Sequence, residues 1–302
     1  MPPALRLSMG LDRTGRAPVG GVVDLVFPSL WGSQMAIVET TMAGEGIARV
    51  TLNDPDRYNA LTPALIDGLA DAFASIRRDR DVRVVILDGN GRGFCAGADM
   101  SGTGGVPDRS RGRGPVGFVH EMQEHLMDVV LAIHETPQPV VAALHGAVVG
   151  GGLALALTCD LRVASADAFF ASHFIRVGLS SCDLGTSYWL PRICGPTIAA
   201  ELMLTGRRFS ADEAREYGVL NRVTTSDELQ STALELAGMI ADNSEYGVRM
   251  TKIGMWANLD ASSLRAAMEL ENRTQVLGTF TGNMTEAGEA FREKRAPEWK
   301  QM

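Results

Sequence analysis

The chain has 302 residues, 45% hydrophobic and 21% charged, a composition that supports a buried core and excludes wholesale disorder. Its net charge of −8 argues against a nucleic-acid surface, because phosphate binding needs a concentrated basic stripe. The four cysteines, Cys95, Cys159, Cys182 and Cys194, show neither CxxC nor paired spacing, and read as reduced thiols of a cytoplasmic protein.

Residues 1–34 are rich in Gly and Pro and lack periodicity, so a loosely ordered extension is expected there. The start MPPALRLSMG has no apolar stretch of signal-peptide length. From Met35, the run AIVETTMAGEGIARVTLNDP predicts two strands about a turn at Ala43–Gly46. A helix is predicted over 63–77, where Leu65, Leu69, Ala72, Phe73 and Ile76 share one face. Arg83–Leu87 reads as a strand that runs into the loop DGNGRGFCAGAD, and 101–117 reads as a mobile loop. Val119, Met122, Leu126, Val129, Val130 and Ile133 then mark an amphipathic helix ending before Pro137. The strand VVAAL, three glycines, a helix and the strand LRVAS follow. From Pro196 onward the pattern is mostly helical, with ADEAREYG a short helix closed by Gly218. Strands alternating with helices predict one α/β core over 35–225 and a helical region over 226–302. Pro139–Cys159 is long and apolar enough to suggest a bilayer span. Its glycines, its prolines and His145 favour a buried strand, turn and helix, so no membrane insertion is expected.

Gly150–Gly152 stands between a strand and a helix, where unpaired amides at the positive helix end can hold a phosphate or an oxyanion. A tight buried turn explains the same glycines equally well. The segment GRGFCAGADM also follows a strand. Two such loops at the ends of strands in one sheet can each offer an N–H to a single carbonyl oxygen, which is the minimum needed to polarise a thioester.

FCAGADM (Phe94–Met100) and HGAVVGGGLALALTCDLRVAS (His145–Ser165) together resemble the crotonase, or enoyl-CoA hydratase/isomerase, superfamily. The similarity extends in order to LNDPDRYNALT (Leu52–Thr62), GLSSCDLGTSYWLPRICG (Gly178–Gly195) and ELMLTGRRFSADEAREYGVLNRV (Glu201–Val223). The resemblance implies an α/β fold, a crotonase-like spiral of ββα units with a helical C-terminal trimerisation region, assembled as a homotrimer or dimer of trimers. It implies an acyl-CoA thioester as substrate, with coenzyme A part of that substrate and no separate cofactor or metal. It places oxyanion-hole amides on Ala98 and Gly151. Ala96, Gly97, Asp99 and Met100 would pass the coenzyme, with Ala60 and Gly150 beside it and Arg57 near the phosphates.

Typical hydratases of the family carry one glutamate just after the triple glycine and another twenty residues on. Those positions hold Ala154 and Phe174 here, and neither moves a proton. Asp183 falls where isomerase branches of the family place an Asp or Glu. A double-bond shift needs one base, taking a proton at C2 and returning it at C4, so an enoyl-CoA isomerase using Asp183 is favoured. Asp183 capping the turn DLGT is the structural alternative. A hydratase drawing on Glu121 or His173, and a non-catalytic acyl-CoA-binding protein, are the functional ones.

Other signals are weaker. HEMQEH (His120–His125) looks like a zinc helix, but five helical steps turn the two imidazoles about 140° apart. GNGRG (Gly89–Gly93) lacks the dinucleotide spacing, and Cys95 reads as a packing residue. Arg109, Arg111 and Arg113 sit in a Gly-rich loop as solvated charges or weak steering groups for an anionic coenzyme.

Overall fold

The computed structural model describes residues 36–100 and 114–300, and the expectations for 1–34 and for Arg109, Arg111 and Arg113 lie outside them. The strands are β1 (Val38–Gly44), β2 (Ile47–Leu52), β3 (Val84–Gly89), β4 (Val140–Leu144), β5 (Ala147–Val149), β6 (Leu161–Ser165), β7 (Phe169–Ala171), β8 (Phe209–Ser210) and β9 (Arg222–Thr224). The helices are α1 (Pro63–Ile76), α2 (Pro115–Glu135), α3 (Gly151–Thr158), α4 (Thr186–Thr205), α5 (Ala211–Glu216), α6 (Leu229–Ala241), α7 (Glu245–Leu259), α8 (Leu264–Thr279) and α9 (Asn283–Glu293).

One sheet has the order β1-β2-β3-β4-β6-β9, antiparallel only between β1 and β2. Every residue of β3 and β4 is buried, as a parallel strand covered on both faces requires. Along β3 the faces separate cleanly. Val85 and Leu87 belong to the cluster that holds α1 and α3, whereas Val84 and Ile86 pack with Leu229, Ala233 and Ala237 of α6. A second sheet, β5-β7-β8, turns away at the end of β4. Its strands of two or three residues are too short to leave a periodic signal in the sequence.

The periodic elements fall close to expectation. α1 buries Leu65, Leu69, Phe73 and Ile76, and the Thr62 side chain accepts the Leu65 N–H at its start. α2 begins at Pro115, inside the stretch 101–117 read as loop. Proline suits the first helical position because the N–H it lacks has no partner there in any case. α4 likewise starts at Thr186, ten residues before the expected helical region, and Gly195 breaks its dihedral pattern.

α3 is buried at every position, apolar all round, and only eight residues long. Buried Arg162 closes its C-terminal end, donating to the carbonyls of Leu157 (3.3 Å), Cys159 (2.5 Å) and Val219 (2.6 Å). The apolar run at 139–159 is thus strand, turn and core helix, and no described helix is long and apolar enough to cross a membrane. In the C-terminal region α8 buries no residue, and Leu264, Val276, Leu277 and Phe280 stand exposed.

α7 is tied to the sheet by a buried ion pair. Lys252 Nζ lies 2.8 Å from Asp160 Oδ2 and also donates to the Gln138 carbonyl, while Asp160 accepts from Val140 N and Trp256 Nε1. Removing the ammonium leaves a buried carboxylate without its counter-charge. Lys252→Met is expected to lower unfolding free energy by about 3–5 kcal/mol, measured by urea denaturation. A loss below about 1 kcal/mol would mean that the pair is effectively solvated.

Candidate active site

The loop after β3 is laced on both sides. On one side Ala96 N donates to Tyr58 O (3.0 Å) and Leu61 N to Gly97 O (2.8 Å). On the other, Phe94 N donates to His145 O (2.8 Å), Cys95 N to Ala147 O (3.0 Å) and Val149 N to Cys95 O (3.0 Å). Asn59 clamps the same loop. Its fully buried amide nitrogen donates to the carbonyls of Asn90, Gly93 and Phe94, and its oxygen accepts the Asp54 N–H. Asn59 adopts a left-handed backbone (φ 53°), which asparagine tolerates better than most residues. In sequence, Asn59 within RYNALT carries this role only through the tolerance of asparagine for left-handed backbone.

This lacing brings the two glycine turns into contact. Gly150 has φ 54° and ψ −118°, a conformation open to glycine alone, and it reverses the chain so that Gly151 opens α3. A methyl on Gly97 (φ 88°) would stand 2.7 Å from Val149 O and 3.0 Å from the Gly151 nitrogen. One on Gly152 would strike the Cys95 carbonyl. As the first residue of α3, Gly151 has an amide with no partner inside the helix. Among the described residues, neither the Gly151 nor the Ala98 N–H has a hydrogen-bond acceptor. Ala98, bridged to Leu61, is exposed at the loop's outer end.

Asp183 stands beside these turns. Its neighbour Leu184 places Cδ1 3.6 Å from a methyl position built on Gly151. Half-buried Asp183 accepts two hydrogen bonds on Oδ1, from its neighbour Leu184 N (2.9 Å) and from Gln123 Nε2 of α2. Oδ2 has no partner among the described residues. The Asp183 carbonyl accepts Thr186 N (2.8 Å), so this residue does stabilise the local turn, and its carboxylate has a free oxygen as well. Gln123 was missed, and it lies inside the HEMQEH run set aside as a poor zinc motif. Nothing in sequence spacing links it to a carboxylate sixty residues away. Of the histidines in that run, His120 pairs with Glu124 (3.2 Å) and buried His125 faces Asp67 (3.4 Å).

Beyond Leu184 lies a cavity of about 510 Å³ between α2 and the first half of α4, its walls including Met127, Val130, Leu131, Tyr188 and Trp189. Ala154 is fully buried in α3, and Phe174 is buried with Cε1 4.0 Å from a methyl position on Gly150. The places of the two expected carboxylates are therefore apolar. His173 is half-buried, and burial, with Arg208 and Arg176 nearby, pushes its imidazole below its ordinary value. Glu121 is half-buried on α2. Cys95 is fully buried, which pushes its thiol up to about 12 against the Gly97 N–H that favours the thiolate, so it packs rather than reacts. Arg57 lies at the surface 3.6 Å from Asp54, Ala60 is buried next to Leu61, and Asp99 and Met100 lead outward from Ala98.

The sequence model of the enoyl-CoA hydratase/isomerase family matches residues 42–302. The probable enoyl-CoA hydratase EchA12 of Mycobacterium tuberculosis is 42% identical over 252 residues, covering 83% of this chain and 88% of its own length. A crystal structure of a probable enoyl-CoA hydratase/isomerase from Mycobacterium abscessus superposes with a TM-score of 0.83 at 38% identity, covering 88% of this chain and 99% of that one. A monofunctional enoyl-CoA isomerase from M. smegmatis also matches, with a TM-score of 0.66 at 38% identity over 78% of this chain and 99% of its own.

Gly97→Ala tests the meeting of the two turns, since its methyl would stand over the Gly151 amide at a backbone angle disfavoured for alanine. Turnover of whichever enoyl-CoA the wild type accepts is expected to fall by about 10²–10³-fold in kcat, as on loss of one oxyanion donor. Circular dichroism should show a folded protein, and near-normal kcat in that protein would separate the turn from the chemistry.

Proposed function

The chain belongs to the enoyl-CoA hydratase/isomerase family and has its crotonase-like spiral fold, and we propose that it moves the double bond of an enoyl-CoA through an enolate. The thioester oxygen sits between the amides of Ala98 and Gly151. Asp183 removes a proton from C2 of a 3-enoyl chain, charge collects on that oxygen, and the same carboxyl returns the proton at C4. Ala60, Ala96, Gly97, Asp99, Met100 and Gly150 flank the coenzyme, and Arg57, exposed at the surface, meets its phosphates. The exposed apolar side chains of α8 are what a homotrimer or a dimer of trimers would cover.

The observation that carries the assignment is Asp183 itself. It is the carboxylate beside the turns, held on one oxygen by Gln123 and open on the other. Hydration would need a water activated and a carbon protonated together, whereas Ala154 and Phe174 line the expected sites with hydrocarbon. One feature favours hydration as a second reading. His173 is kept neutral by its surroundings next to Phe174 and offers a base for water.

The readings separate by product. Incubated with 2-enoyl- and 3-enoyl-CoA in deuterated water, the protein is expected to interconvert them without forming 3-hydroxyacyl-CoA, followed by mass spectrometry. Asp183→Asn should cut kcat by about 10²–10⁴-fold while acyl-CoA affinity stays within a few-fold. A hydroxylated product would establish hydration instead, wild-type turnover by Asp183→Asn would remove its role, and absence of any turnover would leave acyl-CoA binding alone.

A further inference from the structure

The cavity beyond Leu184 follows one face of α2. Gln123, Met127, Val130 and Leu131 line it at helical spacing, a stripe that begins beside Asp183. His120, Glu124 and Tyr188 also line it, and their polar groups are paired elsewhere. His120 lies 3.2 Å from Glu124, and the Tyr188 hydroxyl donates to Asp260 Oδ2 (2.5 Å) with the Arg192 guanidinium 3.6 Å from its ring centre. Gln123 Nε2 donates to Asp183 Oδ1. The side chain that opens the stripe is thus the one that holds the carboxylate.

The rest of the stripe is uncovered hydrocarbon. Met127 is 48% and Leu131 41% exposed, although both face the cavity. From Gln123 to Leu131 the helix axis rises roughly 12 Å. The near end touches the oxyanion turn, since Leu184 lines the cavity and has Cδ1 3.6 Å from a methyl position on Gly151. A thioester held at the Ala98 and Gly151 amides would send its chain past Leu184 and Gln123 along this stripe. The Gln123–Asp183 bond is open to water, because Gln123 is exposed and Asp183 half-buried. Water competes for both partners and keeps the net worth of such a bond far below its strength in an apolar medium. An apolar chain laid over the bond removes that competition.

We propose that Gln123 is a positioning residue through which the acyl chain acts on Asp183: a chain filling the cavity shields the Gln123–Asp183 hydrogen bond, fixes Oδ1 and leaves Oδ2 to meet C2. Contacts made by the remote chain then appear in the proton transfer as well as in affinity. This coupling rests on Asp183 as the base and on the thioester oxygen at the two amides.

Exchange of the C2 hydrogens of saturated acyl-CoA thioesters of graded length, run in deuterated water and followed by mass spectrometry, reads the base without a double bond. The limiting rate at high thioester reports Asp183, and the half-saturating concentration reports chain binding. In the wild type, each methylene along the stripe is expected to tighten binding about threefold to fourfold. The limiting rate should rise about tenfold from an acetyl thioester to one that fills the cavity. Gln123→Met, which keeps the length and removes the donor, should bring the long-chain rate down to the acetyl value while the tightening per methylene persists. Gln123→Glu, which sets a like charge against Asp183, should lower that rate as well. Circular dichroism should show both variants folded, since Gln123 is exposed. A wild-type rate that ignores chain length, or exchange absent from the wild type, would overturn the proposal. So would a Gln123→Met rate equal to wild type on long chains, or a loss equal at every length. Asp183→Asn separates this coupling from its premise. If it abolishes exchange while Gln123→Met leaves exchange intact, only the coupling fails; if exchange survives Asp183→Asn, Asp183 is not the base and both readings fall.

Discussion

The site depends on one piece of backbone, the loop Phe94–Ala98, hydrogen-bonded on both flanks. Its ties to Tyr58 and Leu61 on one side and to His145, Ala147 and Val149 on the other leave little freedom in where Ala98 and Gly151 point. The loop itself leaves β3 and the His145 flank leaves β4, both buried at every position, so the position of the amides is tied to the centre of the sheet. Asn59 matters because it pairs the buried carbonyls of Gly93 and Phe94, along with that of Asn90. The two amides without acceptors are backbone dipoles, which do not titrate and are held in place before any ligand arrives.

That origin explains what was legible in the sequence. The turn glycines could be read because each meets a demand no other residue satisfies: the dihedrals of Gly150, the closeness of Gly97 to Gly151, the carbonyl pressed against Gly152. The long elements could be read from their apolar stripes, as in α1, or from uninterrupted burial, as in β3 and β4. Strands β5, β7 and β8 could not, since pairing rather than composition creates them. The start of α2 was hidden by Gly114 and Gly117, which look like loop until Pro115 is seen to occupy the first helical position. Gln123 looks unremarkable in sequence. Its interest comes from Asp183, which folding brings opposite it and one sequence does not record.

Where the resemblance puts two glutamates, Ala154 and Phe174 make the surroundings apolar. Ala154 leaves α3 apolar along its whole length, and Phe174 sets a ring beside the turn that would receive the thioester. In the proposed reaction a carboxylate with one anchored oxygen suits such surroundings, because moving a proton along a chain needs no second group to activate water.

In the proposed reaction, stabilising the enolate and delivering the proton are separable tasks. The first is built into backbone geometry, which a side-chain substitution can block but hardly retune. The second falls to side chains carried on other elements, such as Asp183 in the segment before α4. The cavity beyond Leu184 is walled by α2 and the first half of α4. Because those walls are side chains of other elements, they can be exchanged without altering the hydrogen bonds that hold the two glycine turns together.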